Sequence, residues 1–200
     1  MAVIMEEPWL TEVRIHGRGG QGNVRAAYML AQAGFEDGRF AQAFPSFGPE
    51  RRGAPVAAYV RIADRPIRRR CQVLHPAFLI IQDDGLLHAP GTTEGLLPDG
   101  AVLINSAKKA TDLALPPGRA AITLPATAIA NEILGKPIPN SALIAVFITL
   151  SGLLTLEALE KALAHQFTGT MLERNVRLVR EVASRVPAGA WKERPHAPGD

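Results

Sequence analysis

The sequence predicts an α/β fold, a Rossmann-like domain with a mixed sheet and a helical C-terminal part. A strand, a glycine turn and a helix follow one another near the N-terminus, and compact apolar runs typical of buried strands occupy the middle of the chain. Helical periodicity dominates the remainder. With 200 residues and 47% hydrophobic content, the chain supports one core, so we expect a single domain over residues 1–186 and a C-terminal tail over residues 187–200.

The N-terminal unit is predicted from composition and order. Residues 13–16 form a short strand candidate that ends at the glycine-rich stretch GRGGQG, residues 17–22. Residues 23–33 then have the alanine, leucine and methionine content of a helix. The unit is therefore a strand, a glycine turn and a helix.

A basic region follows. Residues 40–44 are predicted as a second strand, and residues 45–53 (PSFGPERRG) as a loop because of their proline and glycine content. Residues 54–62 and 66–73 are predicted as a hairpin. Seven arginines and one aspartate fall within residues 51–70, a charge that suits an anionic ligand, nucleic acid, an acidic partner or simply a solvated hairpin face.

Three further strands and four helices are predicted in the second half. Apolar runs over residues 78–82, 101–105 and 120–124 indicate buried parallel strands, which would make the sheet mixed. The last helix is recognised by an apolar stripe formed by Leu172, Val176, Val179 and Ala183. The other helices are predicted over residues 126–134, 141–151 and 156–165.

Several classes of protein are disfavoured by composition. Cys71 is the only cysteine, which excludes an internal disulfide and a four-thiolate iron–sulfur or zinc site made by this chain alone. The five histidines show no ligand spacing, so we expect no metal site. No apolar stretch reaches the roughly 20 residues that span a bilayer, and the N-terminus lacks the pattern of a secretory signal. A cytoplasmic location is therefore expected.

The glycine turn carries the clearest chemical signal. Gly17, Gly19 and Gly22 fit the pattern G-x-G-x-x-G between a strand and a helix, where close backbone approach and the free N–H groups of a helix start favour anions. A tight packing turn without a ligand is the alternative. A dinucleotide would require an acidic residue about 20 residues later, and Ala43 and Phe44 stand near that point. A stand-alone NAD-type dehydrogenase is thus the second hypothesis.

A second loop supplies an aromatic ring, Phe47, and two guanidiniums, Arg51 and Arg52, which suit base stacking and phosphate pairing, or else form a solvated turn. The polar strand ends Asp83-Asp84 and Asn105-Ser106 are expected to cap helices. No set of catalytic residues is predicted, because neither an activated nucleophile nor a general-base arrangement can be assembled from order or spacing.

Five motifs together resemble the gamma subunit of pyruvate and related 2-oxoacid:ferredoxin oxidoreductases. They are GRGGQG, AQAFPSFGPERRGAPV, the basic hairpin, LGKPIPNSALI and FTGTMLERNVRLVREV, and the resemblance runs over about residues 13–182. It implies a three-layer α/β/α domain that is not active alone and that works in a hetero-oligomer of the pyruvate type. Its implied partners are alpha, beta and delta subunits, and ferredoxin through the complex, with neither nucleic acid nor membrane.

The resemblance also implies a division of chemistry. Such enzymes decarboxylate a 2-oxoacid on thiamine diphosphate with magnesium in the alpha and beta subunits, pass electrons through [4Fe-4S] clusters in the delta and beta subunits, and transfer the acyl group to coenzyme A. The gamma chain would contribute to coenzyme A binding. Carried over to matching positions, the contacts would be Gly17, Arg18, Gly19, Gly20, Gln21 and Gly22 of the first loop and Phe47, Arg51 and Arg52 of the second.

Two other readings belong to different classes. The arginine-rich segment could form a nucleic-acid surface, which is disfavoured because almost no aromatic residues alternate with its arginines to stack bases. The chain could instead be purely structural, since the apolar helix over residues 141–151 would serve an interface as readily as a core.

Overall fold

The computed structural model describes residues 9–46, 53–193 and 197–198, and its centre is one mixed sheet. The strands are β1 (Trp9–Arg18), β2 (Phe40–Pro45), β3 (Pro55–Ala63), β4 (Phe78–Ile81), β5 (Ala101–Asn105), β6 (Ala120–Leu124) and β7 (Ala197–Pro198). The helices are α1 (Asn23–Glu36), α2 (Ala126–Leu134), α3 (Asn140–Ser151), α4 (Leu156–Ala164) and α5 (Gly169–Ala183).

The strand order is β2-β3-β1-β4-β5-β6, and β7 pairs with the start of β1. β1, β4, β5 and β6 run parallel, whereas β3 is antiparallel to both β1 and β2. The predicted α/β class and the mixed sheet are confirmed. Because the parallel strands point the same way, the carboxyl end of β1 lies beside those of β4 and β5.

The predicted hairpin is wrong in its second half. β3 forms nearly as predicted, but residues 66–73 are irregular. The physical reason is that a strand has two edges, and both edges of β3 are already taken, one by β1 and the other by β2. The arginine-rich segment therefore leaves the sheet and runs across its end.

All five helices belong to an apolar core that also contains one face of the sheet, including Val13, Ile15 and Ile80. α3 lies at its centre: every residue of this helix except Thr149 is buried. The apolar helix that could have served an interface is therefore core. Its four helix neighbours need bury only one face each, which explains the clear apolar stripe of α5.

The opposite face of the sheet is covered by two short 3₁₀ helices, Asp84–His88 and Ala110–Asp112, and by the loops around them. Leu86 from the first of these packs with Leu79, Val102 and Ile104 in a second, smaller apolar cluster. These segments form the third layer of the domain. With both faces of the sheet covered, polar groups lie mainly at the carboxyl end of the parallel strands.

A buried ion pair crosses β1 and β3 on this second face. Arg61 Nε donates to Glu12 Oε1 at 2.7 Å, and Arg61 is 0% exposed. Another guanidinium nitrogen donates to the carbonyl oxygen of Cys71 at 2.8 Å. Arg61, expected on a basic surface hairpin, is therefore an internal residue, and it ties the irregular segment after β3 to the sheet.

A second buried polar pair lies two residues along β1. Arg14 Nε donates to His16 Nε2 at 2.8 Å, while a terminal nitrogen of Arg14 donates to the carbonyl oxygen of Glu94 at 2.6 Å. Burial, followed by the nearby Arg14 charge, lowers the pKa of His16 to about 3. Because an arginine always donates, His16 accepts through Nε2 and is held neutral.

The C-terminal segment contributes to the core as well. Trp191, within the predicted tail, is 3% exposed, and its ring stacks on Phe78 with centroids 5.9 Å apart. Its backbone N–H donates to the carbonyl oxygen of Leu150 at 2.8 Å. Residues 187–193 thus return to α3 and β4. No helix in the part of the chain that the structure describes is long and apolar enough to cross a membrane.

Candidate functional site

The glycine loop joins the carboxyl end of β1 to the amino end of α1. Gly20 and Gly22 have φ angles of 94° and 82°, in the left-handed region that side chains rarely adopt. Gly22 is the N-cap of α1, no side chain caps this end, and the first turn contains no acidic residue. The backbone N–H groups of the first turn therefore have no partner within the helix and, with the helix dipole, favour an anion.

Gly17 is required for a different reason, close packing. A Cβ atom at this position would lie 2.3 Å from Oδ1 of Asn23. The Asn23 side chain is buried there, and its Nδ2 donates to the carbonyl oxygen of Val56 at 2.8 Å. Its Oδ1 has no hydrogen-bond partner among the described residues. Position 17 therefore needs a glycine to leave room for the Asn23 side chain, which links α1 to β3.

Hydrogen bonds fix the shape of the loop. Within it, Gln21 Oε1 accepts from the N–H of Arg18 at 2.7 Å. Outside it, the N–H of Gly19 donates to Ala54 at 2.8 Å, and the N–H of Gly53 donates back to the Gly19 carbonyl at 3.2 Å. The loop is therefore bonded to the segment that leads into β3.

Arg18 has a carboxylate partner. Its Nε donates to Asp83 Oδ2 at 2.7 Å, and its side chain is 38% exposed. Asp83 also accepts from the N–H of Gly85 at 2.9 Å and caps the first 3₁₀ helix, as predicted for this strand end. Arg18 Nη1 donates to the carbonyl oxygen of Gly53 at 3.4 Å, so the guanidinium is held at the edge of the loop.

The second predicted loop contributes nothing that can be described structurally. Phe47, Arg51 and Arg52 lie outside the described residues, so their contacts stay predictions. The residues on either side, Ser46 and Gly53, bond to Ala57 and Gly19 respectively. The ends of that loop are consequently anchored to β3 and to the glycine loop.

Three side-chain amides connect the glycine loop to the sheet, and sequence reasoning missed this connection. Asn140 Nδ2 donates to the carbonyl oxygen of Gly22 at 3.3 Å, and Asn140 Oδ1 accepts from Gln82 Nε2 at 3.1 Å. Asn105 Nδ2 donates to the Gln82 carbonyl at 2.9 Å, and Asn105 Oδ1 accepts from the N–H of Thr127 in α2 at 3.1 Å. The predicted capping role of Asn105 is confirmed. The motif LGKPIPNSALI contains Asn140 but gave no indication of this contact.

A cavity of about 840 Å³ opens in front of the loop. It lies between the start of α1, the start of α3 and the turn that joins α4 to α5. Within residues 9–46 and 53–193, no carboxylate lines it. The lining residues are Arg18, Gly19, Gly20, Gln21, Gly22, Asn23, Val24, Arg25, Tyr28, Val56, Ile138, Asn140, Gln166 and Phe167.

Among the lining residues that were not expected from the sequence, three are charged or aromatic. Arg25 supplies a second cation, and Tyr28, which is 52% exposed, and Phe167 supply aromatic faces. The signal for Arg25 and Tyr28 was available, since helical spacing puts both on the side of α1 next to the loop. Phe167 could not be foreseen, because its chain position is far from the loop.

The topology weakens the dinucleotide hypothesis. In a dinucleotide-binding unit the second strand runs parallel to the first and carries an acid for the ribose. Here β2 has the same direction as β1, because β3 is antiparallel to both, but β3 separates the two strands and β2 ends in Phe44 and Pro45 without an acid. Within residues 9–46, 53–193 and 197–198, no group of three His, Cys, Asp or Glu side chains could hold a metal ion.

The chain is similar to subunits of one family of oxidoreductases. Residues 12–184 match the pyruvate ferredoxin/flavodoxin oxidoreductase family. Pyruvate synthase subunit PorC of Methanocaldococcus jannaschii is 47% identical over 168 residues, which cover 84% of this chain and 92% of the relative. The common gamma subunit of the pyruvate/ketoisovalerate oxidoreductases of Pyrococcus furiosus is 44% identical over 176 residues, covering 86% and 95%.

The fold has a solved counterpart. The crystal structure of pyruvate oxidoreductase subunit PORC from Thermotoga maritima superposes with a TM-score of 0.78 at 34% identity, covering 88% of this chain and 96% of that one. Each of these relatives is matched over more than nine-tenths of its own length, so the similarity extends over the whole of each related subunit. The chain therefore belongs to the pyruvate ferredoxin/flavodoxin oxidoreductase family, as a gamma-type subunit.

Proposed function

We propose that this chain, as the gamma-type subunit of a pyruvate-type 2-oxoacid:ferredoxin oxidoreductase, binds the phosphate-bearing end of coenzyme A in the cavity of the glycine loop. One observation carries the proposal. The amino end of α1 opens into a cavity whose described lining residues include Arg18 and Arg25 and no carboxylate. Such a site is suited to a multiply charged anion.

The shape of the cavity also suits a nucleotide. Its volume, about 840 Å³, falls in the range of small-molecule sites. A phosphate would accept from the N–H groups at the start of α1 and pair with Arg25, and the open space above Gly20 would let it approach the backbone. Tyr28 offers an exposed ring on which the adenine would stack, a role predicted from the sequence for Phe47.

The other cofactors belong to partner subunits in this proposal. The chain has one cysteine, Cys71, so it can supply a single thiolate, and [4Fe-4S] clusters would be held by delta and beta subunits. Thiamine diphosphate with magnesium, in the alpha and beta subunits, would supply the decarboxylation. This chain would hold coenzyme A so that its thiol reaches the acyl group formed there. Ferredoxin as the electron acceptor and a cytoplasmic location stay predictions.

The test is the kinetics of the assembled complex with Arg25→Ala. Loss of a charge-assisted hydrogen bond to phosphate should raise the KM for coenzyme A by about tenfold or more. Decarboxylation in the absence of coenzyme A, followed with an artificial electron acceptor, should be unchanged. Arg177→Ala is the matched control, because Arg177 is an exposed arginine on α5 outside the cavity. Equal KM values for the two variants would remove Arg25 from the site.

A further inference from the structure

The basic segment after β3 has no role in the coenzyme A site, because it lies at the other end of the sheet. β1 begins at Trp9 and ends at Arg18, which belongs to the glycine loop. Leu10, near the start of β1, pairs with Ala63, the last residue of β3, and the arginines follow from there. This surface is therefore separated from the cavity by the length of β1.

Exposed aromatic side chains stand at this end of the molecule. Phe35, at the end of α1, and Phe40, at the start of β2, are 56% and 43% exposed. They line a groove of about 330 Å³ together with Pro66, Ile67 and Arg70. Two large apolar side chains facing solvent in one groove are more typical of an interface than of a free surface.

Arginines continue this surface. Pro66 and Ile67 also line a neighbouring cavity of about 370 Å³, whose other lining residues include Arg65 and Arg68. Among the described residues, Arg65, Arg68 and Arg70 make no ion pair. On α5 and just after it, by contrast, Arg180 pairs with Glu160 at 2.6 Å and Arg185 pairs with Glu181 at 2.8 Å. Three arginines without an ion pair to a described residue thus lie within the six residues 65–70.

We propose that Phe35, Phe40, Ile67, Arg65, Arg68 and Arg70 form a docking face for another subunit of the same complex, one that presents an acidic surface. An apolar centre with an arginine rim is the usual anatomy of a specific protein interface. Unmatched arginines select a partner of opposite charge and speed its encounter. Docking at this end leaves the glycine-loop cavity open, so the inference is independent of coenzyme A binding.

The test is assembly of the co-expressed complex with the triple variant Arg65→Glu/Arg68→Glu/Arg70→Glu. We expect association with the partner subunits, measured by co-purification and size-exclusion chromatography, to weaken by about tenfold or more. Salt should weaken the wild-type association and barely affect what remains in the variant. The control is Arg174→Glu/Arg177→Glu/Lys136→Glu, an equal charge change at exposed positions elsewhere.

A second variant tests the apolar centre. Phe35→Ser/Phe40→Ser removes two exposed rings, so the full-length chain should keep its circular dichroism and melting temperature while it loses partner association. If both variants assemble like the wild type, the docking face is wrong. If assembly is unchanged but affinity of the complex for DNA or RNA falls in the charge variant, the surface binds nucleic acid and the inference is overturned.

Discussion

Gly22→Ala should destabilise this domain far more than Gly20→Ala, although both replace a loop glycine at positive φ. At Gly20, φ is 94° and a new Cβ would meet nothing within 4 Å, so only backbone strain is added. Left-handed strain costs about 1–2 kcal/mol. Alanine also restricts the unfolded chain more than glycine does, which offsets about 0.4–1 kcal/mol of this cost. The net loss for Gly20→Ala should be about 1 kcal/mol.

At Gly22 the same strain is joined by a clash. A Cβ there would lie 2.7 Å from Asn140 Nδ2, so the amide must move. Its movement breaks the bond to the Gly22 carbonyl and leaves Gln82 Nε2 buried without its acceptor. An unsatisfied buried polar group costs about 1–3 kcal/mol, which brings the expected loss for Gly22→Ala to about 3 kcal/mol.

Urea denaturation of the full-length chain, followed by tryptophan fluorescence, measures both losses. The double-mutant cycle with Asn140→Ala gives the decisive comparison, because it removes the clashing amide. In that background Gly22→Ala should cost no more than Gly20→Ala does. Equal losses for the two single variants, or an excess that persists without the Asn140 amide, would refute the assignment of this contact.

Three further predictions concern the buried groups. His16→Gln keeps an acceptor for Arg14 and removes a group whose pKa is lowered to about 3. The unfolded state takes up a proton below pH 6.5 and the folded state does not, so the wild type should lose about 2 kcal/mol more stability than the variant between pH 7 and pH 5, measured by denaturation at each pH. Glu12→Ala leaves the Arg61 charge buried and should cost about 3–5 kcal/mol, most of it recovered in Glu12→Leu/Arg61→Met, as urea titrations would report. Trp191→Ala should lower stability by about 3–5 kcal/mol in the same assay, and a loss below 1 kcal/mol would mean that the C-terminal segment contributes little to the core.

The parts of the fold that follow from local patterns could be predicted. β5 and β6 occupy residues 101–105 and 120–124, as expected, because a buried parallel strand is a compact apolar run with clear ends. The glycine loop was also predictable, since its requirements are local: positive φ at Gly22 and close packing at Gly17.

Pairings between distant segments could not be predicted. Arg61 reads as a surface residue in a basic run, yet it is buried because Glu12, 49 residues away, neutralises it on the adjacent strand. Asn140 lies 118 residues from the loop carbonyl that it holds. Nothing in its neighbours along the chain indicates that contact, which exists only once the sheet has placed α3 beside the loop.

The central claim is that the glycine loop of this subunit contacts the phosphates of coenzyme A, and hydrogen exchange of the assembled complex tests it most directly. The N–H groups at the start of α1 have no partner within the helix, so a bound phosphate should slow their exchange. We predict protection of a peptide covering residues 19–28 by coenzyme A and none by pantetheine, which lacks the phosphates. Unchanged exchange of this peptide at saturating coenzyme A, with protection elsewhere in the complex, would contradict the claim.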